Sequence, residues 1–106
     1  MPKIPANIIQ IVKRFIGYLE KTDIHIQKAI LFGSYANGNY NEYSDIDIAL
    51  VSEDFSGIRF YDLDKLRDAK FAISTDISPM PFRPEDFVIE NLFVKEILKH
   101  GIAIEL

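Results

Sequence analysis

No cysteine and no tryptophan occur among the 106 residues of this chain. Disulfide frameworks and thiolate metal sites are therefore excluded, while the compartment stays open on that count. Basic residues are in the minority, with 12 Lys and Arg against 16 Asp and Glu and a formal net charge of -4. That deficit argues against a protein that coats nucleic acid by neutralising phosphates, so no direct nucleic-acid binding is expected. Long apolar runs are missing too, and none approaches the ~20 residues needed to cross a bilayer. Lys13 and Arg14 interrupt the first apolar stretch, so no signal peptide is expected. There is no internal repeat and no low-complexity tract. What the chain does contain is 48% hydrophobic and 26% charged residues, the balance of a folded globule. The expectation is one soluble, cytoplasmic domain over residues 1–106, with no membrane attachment.

The apolar pattern predicts an architecture. Ile8, Ile9, Ile11, Val12, Phe15, Ile16 and Leu19 recur at helical spacing, predicting an amphipathic helix over residues 7–20 with Lys13 and Arg14 on its wet side. Ala29-Ile30-Leu31-Phe32 ends a strand over residues 26–32 that is covered on both faces and stopped by Gly33. From Asp45 to Val51 the residues alternate, predicting a second strand. A loop over 52–59, a short helix from Phe60 to Asp68 and a third strand from Phe71 to Ile77 should follow. The proline-rich stretch from Pro79 to Pro84 cannot be regular helix. Pro84 is expected to open a last helix running to His100, closed by Gly101, with Ile102 to Ile104 as a final short strand. Interleaved strands and helices imply an α/β (α+β) fold, a mixed sheet with helices packed against it.

Three carboxylates stand out within this pattern. Asp45 and Asp47 are two residues apart on a strand, so they project from the same face, where like charges call for a cation. Asp76 has only small residues, Ala72 and Ser74, on its own predicted face, and it joins the pair if its strand lies next to theirs. Asp62, Asp64 and Asp68 are placed on the intervening helix as solvated charge. Three hard oxygen ligands suit Mg2+ or Mn2+ rather than zinc. Upstream, Gly33 and Ser34 occupy a strand-to-helix corner, where backbone N–H groups and the Ser34 hydroxyl can hold an anion. No Walker ending is present. Tyr35, Tyr40 and Tyr43 flank this corner, where loop tyrosines either pack or stack on a base.

Gly33-Ser34-Tyr35-Ala36-Asn37-Gly38, followed after ten residues from Ser34 by Asp45-Ile46-Asp47, resembles the DNA polymerase β-like nucleotidyltransferases. Within that superfamily the chain resembles the minimal nucleotidyltransferases, small proteins encoded beside HEPN-domain toxins as toxin–antitoxin pairs. The resemblance runs from the first strand into the last helix. It implies a nucleotidyltransferase fold with Gly33 and Ser34 binding the triphosphate. It also implies that Asp45, Asp47 and Asp76 are the catalytic, metal-holding acids. Asn37 departs from the pattern, since many members carry a basic residue there.

The activity implied is Mg2+-dependent transfer of AMP from ATP to a hydroxyl, the acceptor being a tyrosine of a HEPN toxin partner bound in a hetero-oligomer. A different class of function competes with it: a non-catalytic antitoxin that silences its partner by occlusion. An antibiotic nucleotidyltransferase ranks below both, because no substrate-binding second domain is seen. An intact acid triad favours the enzyme, and a HEPN-encoding neighbour gene would favour either of the first two.

Overall fold

The computed structural model describes residues 4–106. Helix α1 spans Ala6–Lys21, and its stripe of Ile8, Val12, Phe15, Ile16 and Leu19 is buried as the periodicity predicts. Strand β1 (Lys28–Phe32) leads through Gly33 into a single helical turn, α2 (Ser34–Asn37). Strand β2 is Ile46–Val51, helix α3 Arg59–Ile73, and strand β3 Ile77–Phe82. A 3-10 turn at Pro84–Asp86 precedes helix α4 (Leu92–His100) and the two-residue strand β4 (Ile102–Ala103).

The strands form one mixed sheet in the order β3-β2-β1-β4. Strand β1 is antiparallel to β2 and β4, whereas β2 and β3 run parallel with α3 as the crossover. One face of the sheet (Leu31, Ile46, Ile48, Leu50 and Ile77) packs against α1 and α3 in the main core. The opposite face carries a smaller cluster of Ile30, Ala49 and Ile97 of α4, flanked by Phe32, Phe82 and Phe87. Burial on both faces is why Ala29 to Phe32 reads as an unbroken apolar run. Among the described residues no helix is long and apolar enough to cross a membrane.

Two expectations are corrected. The third strand is not Phe71–Ile77, because α3 continues to Ile73. Leu66, Ala69 and Ile73 recur at helical spacing and pack on the main core, and that burial outweighs the brief alternation after Phe71. The strand is instead the proline-bearing Ile77–Phe82, at the sheet edge. The carbonyls of Asp76 and Phe82 accept from Ile46 and Ser52, so even-numbered residues turn their polar groups inward. Pro79 and Pro81 therefore face outward, where a missing N–H breaks no ladder bond. The last helix also starts later than Pro84. The Asn91 side chain accepts from the amides of Phe93 and Val94, at 2.9 and 3.3 Å, and caps α4 at Leu92.

Candidate active site

The site begins at the end of β1. Pairing of β1 with β2 sets Phe32 opposite Asp47, so Gly33 leaves the strand beside that carboxylate. Its backbone takes φ 71° and ψ -148°, which only glycine adopts readily. Space demands glycine as well. A β-carbon at Gly33 would lie 3.1 Å from Asp47 Cγ and 3.3 Å from Asp47 Cβ, and would collide with Oδ2. The turn and the acidic strand are thus pressed together through the one residue without a side chain. Ser34 follows half-buried at the start of α2, while Ala36 and Asn37 both donate to the Gly33 carbonyl at 3.1 Å.

Asp45 immediately precedes β2 and is exposed; Asp47 lies within it and is half-buried. Burial first, and the neighbouring Asp45 charge second, raise the Asp47 carboxyl above its ordinary value. A carboxylate burdened in this way is relieved by a cation, and two neighbouring hard oxygen donors, one just before β2 and one within it, suit Mg2+ or Mn2+. Parallel pairing of Ile46 with Ile77 brings Asp76 level with Asp45, and the Ile46 amide donates to the Asp76 carbonyl at 2.8 Å. Asp76 sits in the exposed turn just before β3 rather than on a strand. The strand that adjoins β2 is β3, which begins one residue after Asp76, so the expected strand position of Asp76 is corrected to a turn at the head of β3. Among the described residues, however, no three acidic or histidine side chains converge into a metal-binding group. The fold therefore pairs Asp45 with Asp47 and aligns the main chain of Asp76 beside them, without closing the three carboxylates on one point.

The flanking aromatic residues divide. Tyr35 is buried in the main core and stacks on Tyr40, with ring centroids 4.7 Å apart, so it packs rather than waits for a base. Tyr43 is exposed. His25 binds Asp54 through both its amide and its ring, and these contacts hold the Asp54 carboxyl below its ordinary value. His100, in the last turn of α4, lies 3.6 Å from Glu96.

Asp62 is a second correction among the acids. It is 1% exposed, not solvated. Its carboxylate accepts from the Ser56 amide (2.7 Å), the Ser56 hydroxyl (2.9 Å) and the Gly57 amide (2.9 Å). It clasps the loop after β2 onto the first turn of α3. The signal available in the sequence was a Ser-Gly turn five to six residues ahead of a helical aspartate, a loop with amides in need of an acceptor.

The mixed four-stranded sheet with its packed helices is the fold of a nucleotidyltransferase neighbour among solved structures. The family model for the nucleotidyltransferase domain matches residues 9–104, and the chain belongs to that family. A Methanocaldococcus jannaschii protein provisionally named a protein adenylyltransferase is 28% identical over 106 aligned positions, covering 92% of this chain and 99% of that protein. A second protein of that organism, with the same provisional name, is 51% identical over 43 residues, 40% of this chain and 43% of its own. Among solved structures, a Sulfolobus solfataricus protein provisionally described as a nucleotidyltransferase superposes with a TM-score of 0.65 at 17% identity, covering 92% of this chain and 78% of that one. A toxin–antitoxin structure determined with AMP-PNP gives 0.56 at 22% identity, over 92% of this chain and 72% of that one. These structural likenesses establish the shared fold.

Proposed function

We propose that the protein transfers AMP from ATP to a hydroxyl, a tyrosine side chain of a HEPN-domain toxin, and thereby acts as its antitoxin. The observation that carries this reading is the contact of Gly33 with the Asp47 carboxylate, next to Asp45, in a chain of the nucleotidyltransferase family. The provisional naming of two relatives as protein adenylyltransferases, and the toxin–antitoxin neighbour solved with AMP-PNP, support a protein acceptor and an adenine nucleotide.

In this reading Gly33 lets the triphosphate approach the backbone, and Ser34 adds a hydroxyl donor. Asp45 and Asp47 would hold Mg2+, which supplies neutralisation of phosphate charge and a lowered pKa for the acceptor hydroxyl. The acceptor oxygen bonds to the α-phosphorus as the bond to the β-phosphate bridging oxygen breaks, and pyrophosphate leaves. Asp76, level with Asp45 at the head of the neighbouring strand, takes the hydroxyl proton. Holding both reactants in line contributes much of the acceleration.

Incubation with Mg2+, ATP and a HEPN partner should make the partner heavier by whole AMP units in intact-mass spectra. Asp76→Asn should abolish the adduct yet leave partner binding intact. Ser34→Ala should weaken nucleotide binding by roughly 10- to 100-fold, the loss of one donor to a charged acceptor. Full neutralisation of the toxin with no adduct from any nucleotide would instead establish the non-catalytic antitoxin acting by occlusion.

A further inference from the structure

A cavity of about 370 Å3 opens between the Gly33–Asn37 turn and α4, walled by Phe32, Phe93 and Ile97 and edged by Asn37, Glu96 and His100. It belongs to the acidic side of the sheet, because Phe32 is paired directly with Asp47 and shares its face. Phe93 meets Phe32 edge-on, with centroids 5.8 Å apart and planes at 85°. Phe93 lines the cavity and remains 45% exposed, so its contact with Phe32 does not cover the whole side chain.

The charges indicate which part of a nucleotide fits here. Among the described residues Glu96 lines the cavity, 3.6 Å from His100, and no Lys or Arg does. Glu96 would repel a phosphate placed against α4, away from the Gly33 edge, whereas an uncharged heteroaromatic ring would not be repelled. Asn37 Oδ1 already accepts from the Asn39 amide at 3.0 Å. Its NH2 group is what remains to offer, and it suits the ring nitrogens of a purine, which accept hydrogen bonds. Where many members of the family carry a basic residue, position 37 thus sets an uncharged amide at the edge of this cavity. Tyr35 cannot serve as the stacking platform, since it is buried against Tyr40.

Building on the nucleotidyltransferase reading, we propose that this cavity is the purine subsite, with Phe93 stacking on the base and the Asn37 amide donating to its edge. The test compares two probes by calorimetry in the presence of Mg2+: ATP, and inorganic tripolyphosphate, which has no base. Phe93→Ala should weaken ATP binding about tenfold, the scale of one lost base–aromatic stack, and leave tripolyphosphate binding unchanged within about twofold. Phe93→Tyr should restore ATP binding. If Phe93→Ala proves unstable, Phe93→Leu, which keeps apolar bulk without a ring face, should give the same split. Unchanged ATP affinity in the alanine and leucine variants overturns the subsite. Equal loss for both probes overturns it also, since the effect would then lie in the phosphate region or the fold. Retained ATP affinity with lost AMP transfer assigns the cavity to the acceptor instead. A wild-type protein that binds neither probe overturns the nucleotidyltransferase reading itself, a result distinct from any of these.

Discussion

Gly33→Ala is the substitution on which the architecture of the site can be judged, because two separate costs meet at one β-carbon. The first is conformational. At φ 71° and ψ -148° the residue occupies a region essentially restricted to glycine, and forcing alanine into it costs about 1–3 kcal/mol. The second is steric. The new carbon collides with Asp47 Oδ2 and crowds Asp47 Cγ at 3.1 Å, so the carboxylate must leave its rotamer, at about 0.5–1.5 kcal/mol. Together these amount to roughly 1.5–4.5 kcal/mol, which for a domain of this size lowers Tm by about 7–20 °C. Thermal melting read by circular dichroism measures the total, and a double-mutant cycle with Asp47→Ala separates its parts. Removing the Asp47 carboxylate should recover the steric part, roughly 1 kcal/mol, and leave the conformational part untouched. A Gly33→Ala protein that melts with the wild type would refute the reasoning. So would strict additivity of the two substitutions, since the close approach of turn and carboxylate would then carry no energy.

Asp47 predicts a pH dependence. Its folded-state pKa is raised, so the native state binds more protons than the unfolded state between the ordinary value, 3.8, and the raised one, and stability falls as pH rises through that window. Without divalent cations, Asp47→Asn should therefore melt above wild type at pH 7 and lose that advantage below about pH 3.8. With Mg2+ the wild type should gain stability that the variant does not, and a variant less stable than wild type in chelator at pH 7 would contradict the assignment. Asp62→Ala, which removes the acceptor of three hydrogen bonds from a buried position, should cost roughly 3 kcal/mol in urea denaturation, against little change for the exposed Asp64→Ala.

Where the hydrophobic pattern had one meaning, the elements were legible. The 3.6-residue stripe of α1 and the alternation from Ile46 to Leu50 each admit a single buried arrangement, and Gly33 could end its strand in only one way. Residues Phe71 to Ile77 had two meanings: local alternation suggested a strand, while the longer helical stripe through Leu66, Ala69 and Ile73 prevailed because it reaches the core. Prolines hid the true third strand, since their tolerance depends on being at a sheet edge, a tertiary fact. The acidic pair was legible because strand periodicity alone puts Asp45 and Asp47 on one face. The register that sets Asp76 beside Asp45 was expected only in outline, and the burial of Asp62 depends on a loop path that no periodicity encodes.

The prolines of β3 have a consequence for association. A bare sheet edge is a template on which another extended chain can add itself, the route to edge-to-edge aggregation and to recognition by strand addition. Along β3 the two outward positions of Pro79 and Pro81 offer no donor, so an incoming strand would find gaps where the ladder needs bonds. The opposite edge, β4, is two residues long, too short to seed a ladder of useful length. A sheet blunted on both sides favours recognition through side chains of helices and loops over recognition through backbone, so that a partner is selected by its shape and chemistry rather than by any extended segment that happens to pass.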